Sequence, residues 1–185
     1  MSLHAEEVPR GRSIGDFARL AGGPMLDLGT YLVSLVVNVF GSSPDRIIAY
    51  SSTLGSAVKG QTAMIMTYGN RQAVLHTTIL ANTPPSATIA GTGATISIDG
   101  PFYQPGGFTL TATDGAQTLR YDEAQYAHEG GLHYQAAEVA RRIQNGEKES
   151  PLRPLAMSIQ VIAVMDEVRR QTQDLFPDED TQPAV

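Results

Sequence analysis

The run GGPMLDLGTYLVSLVVNVFG, residues 22–41, determines how the rest of the chain is organised. Two glycines open the run, and the nearly continuous apolar segment after them predicts a buried helix over residues 25–40. Asp27 and Tyr31 stand four residues apart near the start of this helix, so both side chains lie on one face. A structural interpretation treats Asp27 as favoured by the helix dipole and Tyr31 as an amphipathic core residue. A functional interpretation places both residues in a catalytic or substrate-binding site.

Composition limits the class of protein. The 185 residues are 42% hydrophobic and 17% charged, which predicts one soluble domain with a core of its own. A net charge of −6 with scattered basic residues argues against nucleic acid or an anionic membrane as a partner. No segment is long and apolar enough to span a membrane, and the first residues do not form a signal peptide. The absence of cysteine excludes disulfides and cysteine-ligated zinc, and we expect a cytoplasmic location.

The middle of the chain has the alternating pattern of β-strands. Short loops join consecutive runs, which predicts mostly antiparallel pairing, and Gly69-Asn70 and Asp114-Gly115 are typical hairpin turns. The predicted strands cover residues 47–54, 62–68, 73–80, 86–90, 95–98, 108–113 and 117–121.

Two amphipathic helices are predicted after the strands. The first ends at Asn145-Gly146, and Ser150-Pro151 marks the approach to the second. Their apolar stripes are Leu132, Ala136, Val139, Ala140 and Ile143 in the first helix and Leu155, Ile159, Ile162, Met165 and Val168 in the second.

A helix, then strands, then helices indicates an α+β fold, with a mostly antiparallel open sheet and helices packed on one face. We expect residues 22–173 to form this domain. Residues 1–21 are interpreted as a tail and loop, and residues 174–185 as a disordered acidic tail.

Glycine-rich segments in the chain do not fit nucleotide-binding motifs. Gly55–Thr62 has the outline of a phosphate-binding loop but carries Gln61 where the lysine is needed, so we interpret it as a strand connection. Gly91–Ala94 begins like a dinucleotide fingerprint, but the third glycine is absent and a strand follows, which indicates a β turn. We therefore expect no cofactor-binding residue in this chain.

The histidines do not suggest a metal site. His128 and His133 stand five residues apart near Glu129 without a second pair of ligands, so they are interpreted as polar loop and helix-start residues. His76 falls within a strand pattern, where a surface or core-edge position is expected.

Three blocks of sequence resemble the C-terminal domain of the Gfo/Idh/MocA family of NAD(P)-dependent oxidoreductases. GGPMLDLGTY resembles the family signature GGGxLxDxGxY and is most similar to the branch that contains dimeric dihydrodiol dehydrogenase and glucose–fructose oxidoreductase. GLHYQAAEVAR (131–141) resembles GxxYEAxEVAR. ESPLRPL (149–155), continued by MDEVR (165–169), resembles the family's ending, and residues 87–92 and 98–102 fit the middle.

The chain departs from this pattern in places. Pro24 replaces a third glycine, and Gln135 and Met157 stand where the family often has Glu. The N-terminal Rossmann domain of the family, with its glycine fingerprint and its Glu-Lys-Pro motif, is not in this sequence, and we interpret the chain as an expressed domain or truncated product.

The resemblance implies roles for the two helix residues. Tyr31 would protonate the forming alkoxide of a sugar or cyclic diol, or act as the base in the oxidative direction. Asp27 would orient Tyr31 or the lysine of the other domain, or would bind a substrate hydroxyl. NAD or NADP would serve the full-length protein, with none bound by this chain alone.

Two functions of different class follow. In the first, the chain is the catalytic and substrate-binding half of an oxidoreductase, inactive without its Rossmann domain. In the second, it is a stand-alone sheet domain that serves as a binding or homo-oligomerisation module. Both allow a homodimer or higher oligomer through the open sheet face, because the strand supplies apolar area for both sheet faces through Met64, Ile65, Met66 and Tyr68.

Overall fold

The computed structural model describes residues 23–54, 58–123 and 131–174. These residues belong to two compact units: the first takes in the chain up to Asn82 and from Arg153 onward, and the second runs from Thr83 to Leu152. The predicted tail over residues 1–21 and the acidic tail beyond residue 174 lie outside the described residues.

The elements follow the predicted order. The first unit contains α1 (Pro24–Asp27), α2 (Gly29–Phe40), β1 (Arg46–Leu54), β2 (Val58–Tyr68), β3 (Arg71–Thr78) and α4 (Leu155–Thr172). The second unit contains β4 (Ala87–Ala90), β5 (Ala94–Ile98), β6 (Phe108–Ala112), β7 (Thr118–Tyr121) and α3 (Leu132–Gln144).

The helix predicted over residues 25–40 begins one residue earlier and is divided at Leu28 into α1 and α2. Leu28 keeps helical backbone angles, and the Tyr31 N–H bonds back to the Leu28 carbonyl at 3.2 Å, so the division is a tightened turn. A Cβ at Gly29 would lie 2.8 Å from the sulfur of buried Met25, which explains the glycine there. The helix ends at Gly41 with φ 67°, as predicted for a left-handed C-terminal residue.

A three-stranded antiparallel sheet in the order β1-β2-β3 carries the core of the first unit. Alternate residues of β2 point inward, and α1, α2 and α4 cover this inner face. The buried apolar residues are Met25, Val33, Val36, Val37, Met64, Met66, Tyr68, Val161, Val164, Met165 and Val168. The prediction of helices packed on one sheet face is therefore confirmed.

Helix α4 is tied to the edge strand β1 by Gln171. Its amide nitrogen donates to the Ile47 carbonyl and its amide oxygen accepts from the Ala49 N–H, each at 2.9 Å. The side chain thus bonds the strand as a neighbouring strand would, and the free edge of the sheet is partly satisfied.

The second unit contains a four-stranded antiparallel sheet in the order β4-β5-β6-β7. Gly91–Ala94 forms the predicted turn between β4 and β5, closed by a bond from the Gly91 N–H to the Ala94 carbonyl at 2.9 Å. The other glycine-rich segment, Gly55–Thr62, belongs to the first unit. Its residues 58–62 are part of β2, and residues 55–57 lie outside the described residues.

The predicted stripes of the last two helices are only partly correct. No residue of α3 is buried, and Leu132, Val139 and Ile143 of its stripe are exposed. In α4, Met165 and Val168 are in the core, whereas Leu155, Ile159 and Ile162 are exposed. At 100° per residue these two sets lie on different sides of one helix, and α4 is apolar on both.

Candidate functional site

Gly23 and Pro24 hold the start of the helical layer against the sheet. Gly23 precedes α1 with φ 152°, a backbone angle that favours glycine, and Pro24 occupies the first turn, where its fixed φ is suitable. Pro24 and Met25 are buried, and the Thr77 hydroxyl of β3 donates to the Pro24 carbonyl at 3.4 Å. These contacts fix the backbone from which Asp27 and Tyr31 extend.

The two predicted site residues lie at the accessible surface. Asp27 is the last residue of α1 and is exposed, and Tyr31 in the first turn of α2 has 43% of its surface accessible. The helical backbone at Leu28 keeps the four-residue spacing on one side of the helix. The structural interpretation of Tyr31 as a core residue does not fit this exposure, whereas a phenol that reacts with substrate must be accessible.

Arg153, from the block ESPLRPL, reaches the same helix one turn beyond Tyr31. Its guanidinium donates to the Ser34 hydroxyl at 3.2 Å and to the Ser158 hydroxyl of α4 at 3.4 Å. Ser34 stands three residues after Tyr31 and therefore lies on the same side of α2. No periodicity or spacing in the sequence points to Arg153, and its place in the ESPLRPL block is the signal that could have identified it.

Glu138, from the block EVAR, organises the second unit. It accepts hydrogen bonds from Ser150 at 2.5 Å, from Arg142 at 2.7 Å and from Arg141. These bonds, that from Ser150 first, hold the pKa of Glu138 at about 2. The carboxylate connects α3 to Ser150 of the ESPLRPL block. Glu138 of the EVAR block therefore has a structural role.

The histidines are separated in the structure. His76 lies on β3 with its side chain exposed on the outer sheet face. His133 contacts Tyr134 at the start of α3, with ring centroids 4.2 Å apart and the ring planes tilted by 35°. His128 lies outside the described residues. Within the described ranges, no group of three or more His, Cys, Asp or Glu is placed to hold a metal ion.

The outer face of the three-stranded sheet is open and carries three rows of paired side chains. Its central row is apolar and exposed: Ile48 lies beside Ile65, and Ile65 beside Val74. The flanking rows are Arg46, Thr67 and Gln72 on one side and Tyr50, Ala63 and His76 on the other.

The candidate site therefore consists of an exposed tyrosine and an exposed aspartate at the start of a helical layer, in an α+β domain with an open antiparallel sheet. The family model for the GFO/IDH/MocA C-terminal domain matches residues 3–97, and the chain belongs to this family. In the part of the chain that the structure describes, no helix has the length and apolarity needed to cross a lipid bilayer.

Curated relatives support this assignment. The chain is 32% identical over 162 residues to trans-1,2-dihydrobenzene-1,2-diol dehydrogenase of Xenopus tropicalis, a match covering 85% of this chain and 49% of that protein. It is 28% identical over 179 residues to the D-xylose 1-dehydrogenase (NADP(+)) of Hypocrea jecorina, covering 86% of this chain and 46% of that protein. The chain spans about half the length of the curated relatives it matches.

Solved structures confirm the fold. UDP-N-acetylglucosamine 3-dehydrogenase of Acidithiobacillus ferrooxidans superposes with a TM-score of 0.65 at 16% identity, covering 80% of this chain and 47% of that one. A 3-ketoreductase from Actinomadura kijaniata, solved with NADP, gives a TM-score of 0.63 at 17% identity, covering 81% and 48%.

Proposed function

We propose that this chain is the substrate-binding half of an NAD(P)-dependent oxidoreductase that acts on a CH–OH group of a sugar or cyclic diol. The observation that carries the proposal is Tyr31, an exposed phenol held on a rigid, buried helix start within the family signature GGPMLDLGTY. The relatives that match the chain are dehydrogenases of a diol and of a sugar, and the proposal extends their substrate class to this protein.

Tyr31 is assigned the proton transfer. When a carbonyl carbon is reduced, its oxygen becomes an alkoxide, and the phenol gives that oxygen its proton; in the oxidative direction the phenolate removes it. A free tyrosine has a pKa of about 10, so a neighbouring ammonium group is needed to bring the phenolate closer to use at neutral pH. The resemblance assigns that ammonium to a lysine of the family's Rossmann domain.

Asp27 is assigned a supporting role on the same side of the helix. Its carboxylate can accept a hydrogen bond from a substrate hydroxyl, or orient Tyr31 or the lysine. Arg153 fixes the position of α2 relative to α4 through Ser34, and is a positioning residue in this proposal.

The cofactor is assigned to the half of the relatives that this chain does not match. Gly91–Ala94, which begins like a dinucleotide fingerprint, joins two strands, whereas a dinucleotide needs the amino terminus of a helix after the glycines. Gly91–Ala94 is therefore given no part in cofactor binding, and we assign this chain's residues to proton transfer and substrate binding only.

Two measurements test the proposal. Titration calorimetry of this chain with NADH and NADPH is expected to show no binding at millimolar nucleotide. Fusion of the chain to the unmatched half of the Xenopus tropicalis relative is expected to give nucleotide-dependent reduction or oxidation of at least one compound in a panel of aldoses and cyclic diols. Saturable nucleotide binding by the chain alone, or a folded, nucleotide-binding fusion without activity on any of them, would contradict it.

A second role, self-association, is favoured by the open sheet face. We propose that the row Ile48, Ile65 and Val74 pairs with the same row of a second copy, because a contiguous exposed apolar row on a sheet is typical of an interface. The same role would serve a stand-alone binding module. We also propose a cytoplasmic location, in keeping with the cysteine-free sequence.

Sedimentation equilibrium tests the self-association. The wild-type chain is expected to form dimers or larger species, and Val74→Glu to shift the distribution to monomers. Leu119→Glu, at a similarly exposed position in the other sheet, is the matched control and should leave the distribution unchanged. A wild-type chain that is strictly monomeric at high concentration contradicts the proposed interface.

A further inference from the structure

Arg153 is a half-buried cation next to the candidate site. Its guanidinium donates to the Ser34 hydroxyl through Nη2 at 3.2 Å and to the Ser158 hydroxyl through Nε at 3.4 Å. Among the residues that the structure describes, it contacts no carboxylate, and its Nη1 group has no hydrogen-bond acceptor. Because both hydroxyls are neutral, the positive charge of Arg153 has no counter-charge in that part of the chain.

The other arginines of the described chain have their charge either paired or in water. Carboxylate partners are present for Arg120, Arg141, Arg142, Arg169 and Arg170. Even the least exposed side chains of this group, Arg142 at 15% and Arg169 at 6%, each bond an acidic residue. Arg46 and Arg71 are exposed, so water screens their charge. Within the described ranges, Arg153 therefore stands apart, because it combines partial burial with the lack of a carboxylate.

The position of Arg153 before helix α4 makes its charge unfavourable unless an anion is present. Arg153 lies two residues before Leu155, the first residue of α4, and the amino-terminal end of a helix carries a partial positive charge. The first turn of α4 contains no acidic residue that would balance it. Partial burial adds a desolvation cost that neutral hydroxyls offset only in part. A charge placed against these rules is typical of a functional position.

The guanidinium of Arg153 is held ready for a ligand. Pro151 and Pro154 restrict the backbone on either side of it, and the two serine hydroxyls fix its orientation. Little conformational freedom is therefore lost when a ligand binds. The fork of N–H donors that includes Nη1 matches the oxygen atoms of a carboxylate or a phosphate.

Arg153 reaches helix α2 close to Tyr31. Ser34, which it contacts, stands three residues after Tyr31, and side chains at this spacing are neighbours with Cβ atoms about 5–6 Å apart. Helical side chains lean towards the start of their helix, so the phenol of Tyr31 extends away from Ser34. A molecule that contacts both Arg153 and the Tyr31 hydroxyl therefore carries its anionic group several bonds away from the reacting carbon.

We propose that Arg153 binds a carboxylate or phosphate group of the substrate, so that the enzyme acts on an anionic sugar whose charged group lies several bonds from the CH–OH group that reacts. This inference rests on the proposed function and names the substrate class for the same site. Arg153 is then a specificity-determining residue in addition to positioning α2. Hydrogen bonds to a charged group are strong, so loss of the guanidinium should weaken the use of anionic sugars at least tenfold more than that of neutral ones.

NMR of the chain alone measures anion binding, from the Nε–Hε signal of Arg153. In a buffer free of phosphate, D-glucose 6-phosphate at millimolar concentration is expected to shift this signal saturably, and D-glucose to leave it unchanged. The Nε–Hε signal of Arg170, which already bonds Glu167, is the internal control and should move much less. An Arg153 signal that does not respond, or that responds no more than the Arg170 signal, would overturn the anion site.

Kinetics of the fusion to the unmatched half of the Xenopus tropicalis relative test the specificity. The kcat/KM values for D-glucose 6-phosphate and D-glucuronate are each divided by that for D-glucose. In Arg153→Gln the larger of these two ratios should fall at least tenfold, whereas a purely structural defect lowers all three kcat/KM values together. Arg170→Gln removes the same charge farther along α4 and should change the ratio less than twofold. A ratio that Arg153→Gln leaves unchanged contradicts the proposal.

The outcomes separate this inference from the proposed function and from cofactor binding. A responding Arg153 signal, with a fusion that turns over no compound, removes the proposed function and leaves the anion site. Turnover of neutral compounds without a response at Arg153 removes the anion site and leaves the function. A Kd for NADPH that rises at least tenfold in Arg153→Gln, with the sugar ratio unchanged, would show that the anion is a phosphate of the nucleotide, and the anionic substrate class would be wrong.

Discussion

The two units build their sheets from the same alternating pattern, but they differ in what covers the apolar side. In the first unit, Met64 and Met66 of β2 lie beneath three helices and are fully buried. In the second unit, the register places Ile96, Leu110 and Leu119 in one apolar row, yet no large apolar side chain among its described residues is fully buried. Alternation determines to which sheet face each side chain points. Whether that face is buried depends on helices that come from other parts of the sequence.

The helices show the same contrast. Helix α4 packs one side into the core of the first unit and bonds β1 through Gln171. Helix α3 of the second unit buries no residue, although its polar and apolar residues are better separated, with the apolar stripe from Leu132 to Ile143 on one side. Amphipathicity alone is therefore not sufficient to bury a helix, and the second unit derives less stability from its own core.

The largest expected effect of this difference is on the free energy of unfolding when apolar side chains are truncated. Met66→Ala should lower the free energy of unfolding by about 2–5 kcal/mol, since it removes a buried side chain and leaves a cavity. Leu119→Ala, at a position 61% exposed, should cost about 1 kcal/mol or less. Urea denaturation followed by circular dichroism measures both, and equal losses would show that the second sheet is as well covered as the first.

Removal of tyrosine hydroxyls in the two units is expected to change stability by a smaller amount. Tyr68 stacks on Phe40 with ring centroids 4.1 Å apart, and its buried hydroxyl has no hydrogen-bond partner in the described part of the chain. Burial, with Asp45 nearby, raises the pKa of Tyr68. Because an unsatisfied buried hydroxyl is unfavourable, Tyr68→Phe should stabilise the chain by about 1 kcal/mol.

The exposed Tyr121 of the second unit is the matched control for Tyr68. Its hydroxyl donates to Glu123, so Tyr121→Phe should leave thermal stability nearly unchanged or slightly lower it. A lower melting temperature for Tyr68→Phe would mean that its hydroxyl has a partner among residues outside the described ranges.

Acid should affect the second unit through Glu138. Its pKa of about 2 is lower than the unfolded value of about 4.3, so the ionised carboxylate stabilises the fold above that unfolded value. This contribution is lost as the pH falls from about 4.3 towards 2, and solvent screening keeps it small. Glu138→Gln should therefore lower stability at pH 7 and flatten the decline in melting temperature between pH 5 and 2; an unchanged pH profile would show that the Ser150 and arginine contacts contribute nothing.

Sequence patterns predicted most of the fold because its signals are local. Seven alternating runs joined by short turns determined the strands and their antiparallel pairing, and Gly41 and Asn145-Gly146 marked helix ends correctly. The stripe of α4 was partly wrong because that helix is apolar on two sides, and a spacing rule cannot tell which side meets the core. The exposure of the apolar side chains that the structure describes in the second sheet has no local signal either.

Prediction of the candidate site residues depended more on the family resemblance than on hydrophobic periodicity or residue spacing. Asp27 and Tyr31 were recognised from the GGPMLDLGTY block, and their spacing alone allowed a structural interpretation as well. The contact between Arg153 and Ser34 joins residues 119 positions apart, so no periodicity could have revealed it. The chemical roles of Asp27 and Tyr31 remain predictions.

The most direct test of the central claim is the turnover of Tyr31→Phe in an active fusion of this chain with the cofactor-binding half. Loss of the proton donor should lower kcat by about two to four orders of magnitude while the Kd for the nucleotide changes less than twofold. Tyr68→Phe, which removes a phenol hydroxyl away from the site, should keep kcat within twofold. Undiminished turnover by Tyr31→Phe would contradict the assignment of this chain as the proton-transferring half of an oxidoreductase.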